Sequence, residues 1–269
     1  MIFVLFVFFV FKIQLTGRVL FSILLPRIPP LTTDFHCHLY EPIFDADRDE
    51  VIARAKAVGV TRFCCDASKE SDWVLIEKLY KQYGAETIRP GFGIHPWFSD
   101  AVQPGWQERL VEKLNEYPDA VVAEIGIDRI RRTHVPFDVQ TKTFLEQMEI
   151  ARDLNRSVTI HCVRAWDKMP AMFNEFGKFA PEITFHSFSG SVFDAQWFLS
   201  RYKAFFSFGV EIQTGKRESL IQTYKYLLDN APQTIRFETD SPYMPLIKGT
   251  RNEPFNISSF IKLDCGNPH

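Results

Sequence analysis

The chain has little that would bind by bulk charge. Across 269 residues, 31 Lys and Arg stand against 33 Asp and Glu, a formal net charge of −2. That balance exerts no general pull on nucleic acid or on an anionic membrane, so a polyanion has to be drawn by a local cluster. Cysteine is scarce and odd in number. Its five residues show neither the spacing of a disulfide framework nor a C-x-x-C zinc pair. Cys37 and Cys162 each sit beside a histidine, Cys64 and Cys65 are adjacent, and Cys265 lies near the end. This usage fits an intracellular, reduced protein, cytoplasmic with the nucleus as the alternative. A Gly-rich phosphate turn after the first β-rich run is also missing, which disfavours a doubly wound sheet.

Long apolar runs are confined to residues 1–30. Met1 to Phe11 is unbroken, Lys12 and Gln14 interrupt it, and Val19 to Leu25 follows Arg18. A spanning helix wants about 20 mostly apolar residues, and Lys12 with Arg18 spoils that count. A signal peptide wants a basic segment before its apolar stretch, and none precedes Ile2. Residues 1–30 are therefore expected to be an extension: signal- or anchor-like, membrane-associated, or absent from the mature protein. Membrane contact is expected only if it is retained. The domain proper is expected over 31–269.

From Leu31 onward short β-rich runs alternate with amphipathic helical runs, the pattern of βα units around a parallel sheet. Strands are expected at Thr33–His38, Thr61–Asp66, Arg89–His95, Ala120–Ile127, Val158–Cys162, Ile183–Ser187, Ala204–Val210 and Thr234–Asp240. Helices are expected at Arg48–Val58, Ser71–Tyr83, Trp106–Tyr117, Val139–Asn155, Ala165–Lys178, Phe193–Tyr202 and Glu218–Asn230. Val51, Ile52, Ala55 and Val58 share one face of the first, and Phe144, Met148 and Ala151 one face of the fourth. Gly59 reads as a C-cap glycine, and Ser191 with Asp194 as a capping box. This order predicts an α/β fold, a TIM (β/α)8 barrel, whose usual size is about 250 residues. The eighth helix is expected to be truncated, missing or only begun at Ile257–Leu263. That would leave the seam between the first and last strands under-covered.

The chemistry centres on Asp34-Phe35-His36-Cys37-His38. Side chains alternate along a strand, so His36 and His38 share a face, with Asp34 below them, and Cys37 points behind the sheet. Two imidazoles and an acid on one face can hold a divalent cation. A lone H-x-H is weak, but Glu124, His161, His186 and Asp240 recur at later strand ends, the rim where barrel active sites sit. Four imidazoles and two carboxylates are hard to keep desolvated together without a cation. Imidazole suits zinc and other transition metals, and carboxylates also suit manganese and magnesium. Six ligands exceed what one catalytic zinc takes from protein, so two ions are expected, with Glu124 between them and Asp240 also accepting a proton from the attacking water. His95, in Gly91-Phe92-Gly93-Ile94-His95-Pro96, is expected to steady a phosphate or protonate the leaving oxygen, with Gly91 and Gly93 leaving it room. Arg62, Arg129, Arg131, Arg132, Arg164, Lys216 and Arg251 are basic residues able to meet phosphates, although most read as solvated charges. His134 reads as a solvated loop residue.

Six motifs in order carry a resemblance. Asp34 to His38, Gly93-Ile94-His95-Pro96, Glu124-Ile125-Gly126-Ile127-Asp128, Ile160-His161-Cys162, His186-Ser187-Phe188-Ser189-Gly190 and Glu238-Thr239-Asp240-Ser241-Pro242 resemble the TatD-like deoxyribonucleases of the amidohydrolase superfamily, from about Thr33 to Pro254. The resemblance implies that His36, His38, Glu124, His161, His186 and Asp240 are metal ligands and His95 an active-site histidine outside that set. It implies hydrolysis of DNA phosphodiesters, often from the 3′ end, with DNA as partner and no obligate protein partner. The alternatives are an amide or ester metallohydrolase of the same superfamily acting on small molecules, and a truncated inactive isoform.

Overall fold

A computed structural model describes residues 32–215 and 217–261. The expected extension over 1–30, Lys216 and the chain after Ile261 lie outside the described residues. Eight parallel strands neighbour one another in chain order: β1 Thr33–Cys37, β2 Arg62–Asp66, β3 Ile88–Phe92, β4 Val121–Asp128, β5 Val158–Val163, β6 Ile183–Phe185, β7 Ala204–Phe208 and β8 Ile235–Phe237. The ring is drawn shut between β8 and β1 by Asp240 N donating to His36 O at 2.9 Å and His38 N donating to Ser241 O at 2.7 Å. The TIM-barrel expectation holds.

Helices follow the strands: α1 Arg48–Ala57, α2 Glu70–Tyr83, α3 Trp106–Glu116, α4 Phe137–Asp153, α5 Met169–Phe176, α6 Val192–Leu199, the unpredicted short α7 Glu211–Thr214, α8 Glu218–Asn230 and the turn α9 Ser258–Ile261. Apolar faces meet the sheet as the periodicity requires. Val51, Ile52 and Ala55 of α1 and Phe144, Met148 and Ala151 of α4 are buried. Val58, expected on the first of these faces, is 40% exposed because α1 ends before it. Gly59, at φ 93°, turns the chain out of α1, with its N–H donating to Lys56 O. Ser191 and Asp194 form the capping box of α6. Between strands and helices, Phe173, Phe185, Phe188, Phe198 and Phe206 are almost wholly buried, each contributing about 1.5–3 kcal/mol relative to exposure.

Several strands stop short of their expected ends, and the backbone shows why. Ser187 at φ 43° and Asp240 at φ 55° adopt left-handed conformations that leave the strand path after β6 and β8. The chain likewise leaves β3 before His95, where a 3-10 turn opens on Pro96. Of the residues with chemistry, His38, His95, His186 and Asp240 thus sit just beyond their strands, while His36, Glu124 and His161 lie within β1, β4 and β5. At the seam, Pro254–Ile257 forms a 3-10 turn, with Pro254 and Ile257 buried, so the outer face of β1 and β8 is less bare than expected. Arg251 clamps this segment through Asp47 at 2.6 Å and Glu253 at 2.7 Å, which leaves it a structural tie rather than a phosphate contact. Arg62 opens β2 and so lies at the opposite end of the barrel from the site, paired at 3.6 Å with Asp119. Among the described residues no helix is long and apolar enough to cross a membrane.

Candidate metal centre

All six expected ligands meet at the C-terminal mouth of the barrel, with Glu124 at the hub. Its carboxylate lies 2.8 Å from His161 Nδ1, 3.3 Å from His186 Nε2, 3.4 Å from His36 Nε2 and 3.5 Å from His95 Nε2. His36 Nε2 faces His38 Nε2 at 3.2 Å, and Asp240 Oδ1 stands 3.3 Å from His38 and 3.6 Å from His36. Three overlapping sets of ligand atoms each fit within 4.8 Å: His36, His38 and Asp240; His36, Glu124 and His186; His95, Glu124 and His161.

Behind the rings stands a layer of braces to which the sequence reading assigned no role. Asp66 Oδ2 lies 2.8 Å from His36 Nδ1, and Glu238 Oε1 2.9 Å from His186 Nδ1. His38 Nδ1 meets Tyr40 Oη at 3.2 Å, and that hydroxyl donates to Asp72 at 3.3 Å. Asp128 Oδ2 stands 3.5 Å from His161 Nε2. A carboxylate behind a ring fixes its tautomer and raises its basicity as a ligand. Asp66, Asp128 and Glu238 sit at strand ends, so the criterion that found the ligands also reaches these three.

The tautomers explain why the pocket calls for a cation. Asp66 accepts from His36 Nδ1, and Tyr40, whose proton goes to Asp72, accepts from His38 Nδ1. Both Nε2 atoms are then lone pairs, 3.2 Å apart and beside two carboxylates. Electron-rich atoms gathered this closely repel one another unless something positive lies among them. His161 Nε2, buried, makes no well-formed hydrogen bond and has only Asp128 Oδ2 near it, at 3.5 Å. In the metal-free protein protons supply the positive charge. Burial opposes a charged His38, but Asp240, Glu124 and Asp66 outweigh it and hold the ring up to about 9. Burial likewise opposes charge on His161 and His186, and neighbouring carboxylates again raise both. Burial would raise Glu124, yet His186, His95 and His36 hold it well below the carboxylate range. Asp240 behaves the same way, through His38 first. The donor set fits divalent cations.

Two expectations change. Asp34 shares the inner face but lies too deep: its carboxyl accepts from Thr239 N at 3.0 Å and Thr239 Oγ1 at 2.5 Å, tying β1 to β8. Burial pushes it up to about 8, the opposite of an ionised ligand. His95 accepts the Trp97 N–H on Nδ1 at 3.1 Å, so its own proton sits on Nε2. Burial, with the charges of His161 and His186, lowers it to about 4. A neutral ring with a protonated Nε2 donates a hydrogen bond and does not act as a strong acid. The room at Gly91 and Gly93 also has other tenants. A Cβ at Gly91 would strike Asp66 Oδ1, and one at Gly93 would come 2.8 Å from Ala123 O. His134 is exposed, as expected.

An eight-stranded barrel with a braced His and carboxylate cluster at its C-terminal mouth defines a metal-dependent hydrolase of the TIM-barrel class. Comparison with known proteins narrows this class: residues 33–263 match the model of the family described as TatD related DNase, and the chain belongs to that family. The human protein named deoxyribonuclease TATDN3 is 28% identical over 242 residues, covering 84% of this chain and 83% of that protein. The Shigella flexneri protein named 3′-5′ ssDNA/RNA exonuclease TatD is 27% identical over 241 residues, covering 85% and 88%. The crystal structure of the TatD homolog YjjV from Escherichia coli superposes with a TM-score of 0.76 at 25% identity, covering 89% of each chain.

Proposed function

We propose that this metal-dependent hydrolase is a two-metal deoxyribonuclease that removes nucleotides from the 3′ end of single-stranded DNA. The observation that carries the reading is the convergence of His36, His38, Glu124, His161, His186 and Asp240 on one braced pocket. In it, His36, His38 and Asp240 would hold one cation and His161 and His186 a second, with the Glu124 carboxylate placed between the two groups. Bound there, such cations polarise a phosphoryl oxygen and ionise water near neutral pH.

The chain's own groups supply the rest. Asp240 keeps 20% of its side chain open to solvent while its carboxyl is held ionised, so a water can reach it and give up a proton there. His95 donates its Nε2 hydrogen to a phosphate oxygen. Being neutral, it stabilises charge rather than protonating the leaving oxygen, and that half of its expected role falls to solvent. The names of the relatives support a nucleic-acid substrate. The four cysteines among the described residues are free and buried, in keeping with a reducing, cytoplasmic setting.

The test is nucleotide release from a 3′-labelled single strand by metal-loaded protein, with magnesium, manganese and zinc compared. Bound metal is measured by elemental analysis for the parent, His161→Ala and Asp240→Ala. Two ions per chain with release by the parent alone is the expected result. Two ions without release from any phosphodiester, but with turnover of an amide or lactone, would move the assignment to small-molecule hydrolysis. Less than one ion per folded chain would favour an inactive isoform.

A further inference from the structure

Beside the His95–His161 half of the pocket stands an indole that the proposed chemistry does not use. Trp97 is 41% exposed, yet it is held firmly. Its Nε1 donates to Asp128 Oδ2 at 2.6 Å, its backbone N–H donates to His95 Nδ1 at 3.1 Å, and its ring lies edge-on to His95 at a centroid distance of 5.1 Å. The Arg131 guanidinium rests over it, 4.0 Å from the ring centroid. Asp128 orders both partners, because its Oδ1 also accepts from the backbone N–H of Ile130 and Arg131. An isolated surface tryptophan would not need this scaffold. An aromatic whose polar edge is bonded inward while much of the ring stays in water is preorganised for a flat partner.

The surroundings say which partner. The turn Arg129–Thr133 carries three arginines in five residues. Arg129 is paired with Asp167 at 2.7 Å, Arg131 lies over Trp97, and Arg132 and, on the adjoining loop, Arg164 are exposed. This is the local basic cluster that the overall charge of −2 does not provide. Basic side chains interleaved with an exposed aromatic fit single-stranded nucleic acid, whose bases stack on aromatic rings or guanidinium planes while cations follow the phosphates. We propose that the Trp97–Arg131 pair is a nucleobase platform, stacking one base of the strand adjacent to the bond placed at the metal centre. The proposal rests on the nucleic-acid reading of the site and adds to it where the strand lies. It passes over the β4 and β5 loops, not over the rim at β1 and β8, where Tyr243 offers a rival ring 5.5 Å from His38.

The experiment scans a base deletion along the strand. Metal-loaded full chain is titrated with non-hydrolysable phosphorothioate hexanucleotides, each carrying one abasic position, for the parent, Trp97→Ala, Trp97→Phe and Tyr243→Ala. One position is expected at which base loss weakens parent binding about tenfold or more, the usual worth of a stacked base. That penalty should vanish in Trp97→Ala, persist in Trp97→Phe and be unaltered in Tyr243→Ala. A general structural defect would weaken all strands alike and leave the penalty in place. If Trp97→Ala does not fold, Trp97→Leu fills the same space without stacking and takes its place. No coupled position, whether strands bind equally or not at all, overturns the platform, as does coupling to Tyr243 instead. Cleavage without coupling removes only the platform, whereas coupling without cleavage of any phosphodiester removes only the proposed hydrolysis.

Discussion

Asp66→Asn isolates what a carboxylate behind a ligating ring does. Asp66 is fully buried, and its Oδ2 lies 2.8 Å from His36 Nδ1. A carboxylate can only accept, so it holds the His36 proton on Nδ1 and leaves Nε2 free to face His38, Glu124 and Asp240 at 3.2, 3.4 and 3.6 Å. Asparagine has nearly the same shape but carries a donating amide. Asp66 Oδ1 has no other hydrogen-bond partner to fix the orientation. With the amide turned to the ring, the His36 proton moves to Nε2 and the lone pair is lost. With the carbonyl turned to the ring, the tautomer survives but the ring is a weaker base. Loss of such a brace typically costs 10–100-fold in metal affinity, about 1.4–2.7 kcal/mol. The assay is chelator competition for zinc and for manganese, run beside thermal melting of the metal-free protein. An affinity within about twofold of the parent, in a protein that melts normally, would refute the claim that Asp66 sets the His36 tautomer.

Three further outcomes are expected. Asp34→Ala leaves the buried Thr239 N–H and hydroxyl without an acceptor. It should lower stability in urea by about 2–4 kcal/mol, and by less in Asp34→Asn, which keeps an acceptor; equal losses in the two variants would mean that the seam does not depend on these bonds. Metal affinity should climb with pH. His38 is held protonated up to about 9 in the metal-free chain, a charged imidazole cannot ligate, and the proton must leave first, so affinity rises with pH through the neutral range and levels only near 9. Affinity that is flat over that range, or no proton release on titration in weak buffer, would contradict this. Gly126→Ala places a methyl against His161 O at a φ of 143°, and should cost about 3 kcal/mol or more in melting experiments. Gly177→Ala, also at positive φ but with nothing within 4 Å, should cost less, about 1–3 kcal/mol from backbone strain alone.

The barrel is legible in the sequence because each βα unit repeats a change of hydrophobic period. The candidate ligands are legible because four histidines and two acids lie at or near the C-terminal ends of the expected strands. What escapes is depth. Alternation along β1 puts Asp34 on the same side as His36 and His38, but each two-residue step also moves a side chain about 6.6 Å along the strand. Asp34 is therefore one layer below the centre, among the backbone of β8, where it meets Thr239 and stays protonated. Asp66 and Glu238 show the converse. Like the ligands, they are acids at the ends of strands, yet they stand behind His36 and His186 rather than beside them. Strand position alone does not set whether such a residue faces the pocket or braces a ring, since Glu124 reaches the pocket from within β4 and Asp128, ending the same strand, stands beside His161. For an acid beyond a strand it depends on where the backbone turns. At Asp240 and Ser187 that turn is a left-handed residue without glycine, which β-propensity cannot register. A reading that asked of each rim acid which imidazole it could reach from behind would have divided the acids into two rows, and would have found Asp66 and Glu238 from the same strand pattern that revealed Glu124 and Asp240.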